Sequence, residues 1–277
     1  MSVLRGLFSQ KAQPLVVNLA IWGPPQSGKT TLLAMINTLC KSHDWTFLPA
    51  KKETSDYIES VTEYIFEKGQ PVPPTEELTP IIHRFTLRDE NRRNRQYTLE
   101  MPDAAGEIFA DPESKLFNMV EYLSICHGIV WLLDPVALKH ATLYRYAGGA
   151  KTRSYRQMIY QTLSRIYQTR YINSGKVDIY MAFVLTKMDH PDHFRHFDRP
   201  RDYALDLLGP VVEKTIEDFC IPERIEFFSV SALGFADSEQ KISNLDDSDP
   251  SESRLRTKHI VPLDILDPFD WLLKKIL

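Results

Sequence analysis

Residues 23–30 read Gly-Pro-Pro-Gln-Ser-Gly-Lys-Thr, which fits the phosphate-cradling pattern G-x-x-x-x-G-K-[ST]. An apolar run over residues 15–22 precedes it and a helical run over 31–40 follows. A strand ending in a Gly-rich turn aims consecutive backbone N–H groups, and the positive end of the next helix, at one anionic point. Gly23, Gln26, Ser27, Gly28, Lys29, Thr30 and Thr31 are therefore candidate phosphate ligands. Lys29 is expected to reach the β- and γ-phosphates of a nucleoside triphosphate, and the Thr30 hydroxyl to ligate Mg2+. A turn that merely linked strand to helix would leave Lys29 unexplained.

Three further stretches bear on the chemistry. Asp103-Ala104-Ala105-Gly106-Glu107 stands at the end of a strand expected over 96–101. An Asp there can hold the Mg2+ shell, and Gly106 can turn its N–H onto the γ-phosphate; a plain Asp/Gly turn is the alternative. The strand expected over 177–185 runs straight into Thr186-Lys187-Met188-Asp189. The Asp189 carboxylate can accept hydrogen bonds from guanine N1–H and N2–H, whereas adenine would set a buried charge against an acceptor. Lys187 would lie along the ring and brace the phosphate loop. Ser231-Ala232-Leu233 follows the last strand, where a backbone N–H can reach the guanine carbonyl oxygen.

Positioning these groups requires strands whose ends fall together. Residues 15–21 form a nearly continuous apolar run, as a strand covered on both faces needs. Helical periodicity follows over 30–41, and again over 53–68 with Tyr57, Ile58, Val61, Tyr64 and Ile65 on one face. The proline-rich stretch 69–80 reads as a loop. Residues 81–87 and 96–101 read as an antiparallel hairpin around the polar turn 89–94. Helices are expected over 114–124, 138–172 (broken at Gly148-Gly149), 200–219 and 268–276, with strands at 128–133, 177–185 and 225–230. The Ser- and Asp-rich residues 236–253 read as a loop without regular structure. This alternation predicts an α/β fold.

The order of these four motifs resembles that of the Ras-like, translation-factor-related P-loop GTPases, over residues 15–234. The resemblance implies a P-loop NTPase fold: a mostly parallel six-stranded sheet with one antiparallel edge strand and helices on both faces. It implies one GTPase-like domain across residues 1–277, with inserts at about 43–80, 136–175 and 236–262. The ligands implied are GTP or GDP and Mg2+. Residues 23–30 would bind phosphates, Asp103 and Gly106 would respond to the γ-phosphate, Thr186, Lys187 and Asp189 would select guanine, and Ser231, Ala232 and Leu233 would close over the base. A protein effector or activating partner belongs to the same expectation. The spelling Pro102-Asp103-Ala104-Ala105-Gly106-Glu107, the inserts and the closing Asp267-Pro268-Phe269-Asp270-Trp271 are similar to a bacterial branch, the double-GTPase-type domains. Members of that branch are associated with multi-gene conflict or defence systems.

Two departures stand out. The family has Gln or His after the switch glycine, where this chain has Glu107. A carboxylate can accept a proton from water, yet it also brings negative charge toward an anionic γ-phosphate, so slow hydrolysis is expected with Lys29, Gly106 and Glu107 as the catalytic set. Pro25 removes one N–H from the phosphate loop. The switch threonine that completes a metal set of Thr30 and Asp103 is expected at Thr75, with Thr79 and Thr54 open. Two other readings stay open: a GTP-binding interaction module with little turnover, and a P-loop small-molecule kinase whose lid arginines lie in 151–170.

The remaining features set limits. A net charge of −4 gives no general pull toward nucleic acid or anionic lipid. Cys40, Cys126 and Cys220 are isolated in apolar surroundings, as inert buried thiols of a reducing compartment would be. No apolar run approaches membrane-spanning length and no secretory-signal pattern opens the chain, so a cytoplasmic protein is expected. His190, His193 and His196 read as a solvated loop rather than a zinc site, because Pro191 interrupts a helical face. The basic stretch 88–95 reads as a solvated hairpin tip.

Overall fold

The computed structural model describes residues 17–24, 26–40, 45–72, 81–89, 95–103, 115–145, 152–170, 175–246 and 254–277. Its apolar runs assemble into a seven-stranded sheet. The strands are β1 (Asn18–Trp22), β2 (Trp45–Pro49), β3 (Ile81–Asp89), β4 (Arg95–Asp103), β5 (Gly128–Leu133), β6 (Tyr180–Leu185) and β7 (Ile225–Ser229), in the order β2-β3-β4-β1-β5-β6-β7. From β4 to β7 every pairing is parallel, whereas β3 runs antiparallel to both β2 and β4. Every residue of β5 is buried, as a strand covered on both faces must be.

Two apolar layers do the covering. One face, carrying Trp22, Trp131, Phe183 and Leu185, packs with helices α3 (Lys115–Ile125), α4 (Tyr155–Arg170), α5 (Pro200–Leu208) and α6 (Pro210–Phe219). The other, carrying Leu19, Ile21, Val130 and Val184, packs with α1 (Lys29–Cys40), α2 (Lys52–Thr62) and α7 (Asp267–Ile276). On the first face Trp22, Trp131, Phe183 and Phe227 are register partners across β1, β5, β6 and β7. Their ring centroids lie 4.7, 5.8 and 5.2 Å apart in succession, a continuous row just below the strand ends.

The fold class matches the sequence reading, with four corrections. The sheet has seven strands where six were expected: β2 is short, and it ends in a proline, so it shows no readable alternation. Of residues 236–253 the described part, 236–246, is not featureless. Phe235–Asp237 pairs antiparallel with Ile242–Ser243, and Leu245–Asp246 with Arg254–Leu255, held by backbone hydrogen bonds, the fully buried Asn244 and the buried side chains of Phe235 and Leu255. The helix expected over 138–172 is instead a single turn, Pro135–Lys139, capped by Asp134, then an antiparallel pair, Leu143–Arg145 with Thr152–Ser154, and only then α4. The helix expected over 200–219 breaks at Gly209, whose φ of 77° is left-handed, followed by Pro210 without an N–H.

Trp131 is fully buried in the middle of the aromatic row. Trp131→Ala is expected to lower unfolding free energy by about 3–5 kcal/mol, read from urea denaturation, because it deletes ring contacts on both sides and leaves a cavity.

Candidate functional site

β1 delivers the chain into the phosphate loop. Gln26 and Gly28 have φ of 61° and 88°, so left-handed residues alternate there and turn successive amides into one concavity. Between them Ser27 is fully buried, and its Oγ has no hydrogen-bond partner among the described residues. A Cβ on Gly23 would sit 2.5 Å from Ser27 Oγ and 3.0 Å from Leu132 Cβ, so glycine alone fits. Lys29 Nζ donates to the carbonyls of Gly23 (2.6 Å) and Pro24 (2.9 Å), and the residue is 6% exposed. The first amides of α1, at residues 29–31, have no acceptor within the helix. An orphaned buried hydroxyl, a buried ammonium and the first turn of a helix fit a phosphate group. Pro25 lies outside the described residues.

Thr30 carries a contact that sequence reading missed. The Tyr57 hydroxyl, from α2, donates to Thr30 Oγ1 at 3.0 Å. The Tyr57 ring stacks on buried His83 with centroids 4.2 Å apart, and that stack fixes where the hydroxyl points. The helical spacing put Tyr57 on the packed face of α2, which was the available signal. Thr54, the alternative switch residue in α2, is 2% exposed and committed to packing, so it is withdrawn as a switch candidate. Asp103 is the last residue of β4, beside β1, with its backbone alone described. Thr75, Thr79, Gly106 and Glu107 lie outside the described residues.

Two strands from β1 the chain leaves β6 into Thr186, about 10 Å along the sheet edge at normal strand spacing. The Thr186 N–H donates to Leu133 O at 2.8 Å and its hydroxyl bonds the same carbonyl at 3.3 Å, tying this turn to β5. Lys187 adopts φ 55° and pairs with Asp134 at 2.6 Å, so its ammonium is anchored at the end of β5 instead of bracing the phosphate loop. The other oxygen of Asp134 caps the turn 135–139, so one buried carboxylate serves both elements.

Asp189 is 5% exposed. Its Oδ1 accepts from Ser231 Oγ at 2.6 Å, and its Oδ2 from Ser243 Oγ at 2.5 Å. Ser231 was expected at this end of the sheet; Ser243 falls in the stretch read as featureless. Ala232 and Leu233 are half-buried beside the second core layer.

The nearby histidines need a correction, because they are not a solvated loop. His190 caps the turn Pro191–Phe194, and buried His193 sits 2.6 Å from the Tyr203 hydroxyl. No cluster of three or more His, Cys, Asp or Glu suited to a metal ion occurs among the described residues. Cys126 and Cys220 are buried, and burial pushes both thiols up to about 12. Among the described residues no helix is long and apolar enough to cross a membrane.

Comparison with known proteins identifies the family. The family model described as Double-GTPase 2 matches residues 18–243. The chain belongs to that family. No curated protein matches it. Among solved structures, the Arl6 BBS3 small GTPase from Trypanosoma brucei, with bound GppNp, shares 11% identity over 95% of this chain and 98% of its own, at a TM-score of 0.45. The GTPase-like domain of S. cerevisiae Ski7, bound to GTP, shares 14% over 79% of this chain and 43% of its own, at 0.43. Sup35 complexed with GDP shares 16% over 83% and 40%, at 0.39.

Two outcomes follow from the geometry. Burial first, then the nearby His190 and Lys139 charges, hold the His193 pKa down to about 4. Below pH 6.5 the unfolded chain takes a proton that the folded chain refuses, so this contribution is full above 6.5 and is lost as pH falls toward 4. His193→Gln should flatten that part of the pH–melting profile, by up to about 3 kcal/mol at the acid end. Tyr57→Phe keeps the ring and deletes the hydroxyl. Loss of that one hydrogen bond is expected to lower unfolding free energy by about 1 kcal/mol, read from urea denaturation.

Proposed function

We propose that this GTPase-type domain binds GTP and GDP with Mg2+ and hydrolyses GTP slowly to GDP and phosphate. The observation that carries the reading is the placement of a buried ammonium in a phosphate-shaped loop and a buried carboxylate two strands along the same sheet edge. That pairing suits a ligand with a polyanionic end and a base presenting two adjacent N–H donors. Guanine presents them; adenine does not.

In this reading Lys29 draws charge from the β- and γ-oxygens as the terminal P–O bond breaks. The amides at 28–31 hold the phosphates in line for attack by water. Thr30 and Asp103, with Thr75, are the residues to hold Mg2+, which when bound offsets triphosphate charge. Gly106 senses the γ-phosphate and Glu107 orients the water, while Asp189, Thr186 and the 231–233 turn seat the base. The output is conformational, a change in affinity for a protein effector or activating partner.

A second reading, a GTP-binding interaction module with little turnover, is favoured by the Tyr57 contact, which already engages the Thr30 hydroxyl. Phosphate release separates the two. Single-turnover cleavage by the protein alone is expected on the order of 10⁻³ s⁻¹ or slower, and Lys29→Ala abolishes it. Retention of GTP without any release decides for the module. Calorimetry tests the base: Asp189→Ala should weaken GDP binding at least about tenfold while leaving ATP binding unchanged. Equal competition by ATP against GTP in the unaltered protein would overturn guanine recognition.

A further inference from the structure

The two hydroxyls on Asp189 are not equivalent in origin. Ser231 lies on the turn after β7, already part of the proposed base site. Ser243 arrives from the antiparallel pair formed by Phe235–Asp237 and Ile242–Ser243. Each hydroxyl owns one proton. The Gly234 N–H donates to Ser231 Oγ at 2.9 Å, and the Leu245 N–H donates to Ser243 Oγ at 3.3 Å. With a backbone donor satisfying each oxygen, both serine protons are directed at the carboxylate, one to Oδ1 and one to Oδ2. A carboxylate oxygen accepts about two hydrogen bonds, so each keeps one open position.

The support under Ser243 is itself built. Phe235 packs edge-on against Phe194 with centroids 4.9 Å apart, and Lys241 Nζ lies about 5 Å from both rings. The next residue, Asn244, is fully buried; its N–H donates to Gly234 O at 3.1 Å. At Gly234 a Cβ would stand 2.0 Å from the Val261 carbonyl oxygen, so the two stretches meet backbone on backbone.

We propose that Ser243 is a specificity-positioning residue of the base site: with Ser231 it arrests rotation of the Asp189 carboxylate, so that the remaining acceptor positions face the N1–H and N2–H edge of guanine. This rests on the reading that Asp189 meets that edge. Ser243 does not touch the base; it acts through Asp189.

Calorimetry on the full chain with GDP and ADP, for the unaltered protein, Ser243→Ala, Ser243→Thr and Asp189→Ala, provides the test. Ser243→Ala should weaken GDP about tenfold and leave ADP within about twofold, while Ser243→Thr, which keeps the hydroxyl, restores GDP to within about threefold. A loss shared equally by GDP and ADP, or no loss, overturns the proposal and leaves Asp189 acting without it. An unchanged GDP-to-ADP ratio in Asp189→Ala sinks the base-site reading, and this inference with it. Should Ser243→Ala fail to fold, amide exchange on the unaltered chain decides. GDP should slow exchange at 242–245, and unchanged exchange there counts against the role.

Discussion

The aromatic row Trp22–Trp131–Phe183–Phe227 is the constraint on which the site geometry depends. Because strand side chains alternate faces, a slip of one residue in any of the four strands would throw a ring out of the row and onto the opposite face. Ring contact between neighbours therefore fixes register as well as adding stability. The next residues after these strands are the phosphate loop, Asp134, Thr186 and the 230–233 turn. Register in the core thus becomes distance at the edge, and the polar groups can be spaced without a rigid loop of their own.

At that edge each buried charge is divided between neighbours. Asp134 caps a helical turn with one oxygen and receives Lys187 with the other. Asp189 receives Ser231 and Ser243, and Lys29 spreads over two carbonyls of its own loop. Leaving any of these partners out would strand a desolvated charge, which costs far more than the pair returns in net stability. The charges at this edge are buried and paired, while Ser27 Oγ keeps a hydrogen-bonding position unused among the described residues.

Much of this was legible in the sequence because it is local. The strand at 128–133 was readable to the residue, being an all-apolar run closed by Asp134-Pro135, and the phosphate loop announces itself by spacing alone. What escaped depended on partners far along the chain. β2 is short and stabilised by β3; the pairing of 235–237 with 242–243 rests on hydrogen bonds and on Phe235 meeting Phe194, forty-one residues earlier. Periodicity cannot see either. Tyr57 was readable as a packed helix face, but nothing local says that its hydroxyl meets Thr30. The break at Gly209-Pro210 was written in the sequence and masked by the strong helical pattern on both sides.

The stretch after Ser243 also crosses to the other end of the edge. Leu255 N–H donates to Gly69 O at 2.8 Å, and Lys258 Nζ bonds the carbonyl of Glu67, at the exit of the π-turned extension of α2 (Glu63–Glu67). Since α2 carries Tyr57, a chain of contacts leads from Asp189 through Ser243, the paired strands Leu245–Asp246 and Arg254–Leu255, and α2 to Thr30. Removing the paired strands Leu245–Asp246 and Arg254–Leu255 would therefore loosen both ends of the sheet edge together, and a graft that transplanted only the loops after β1 and β6 would leave behind the contacts that join them.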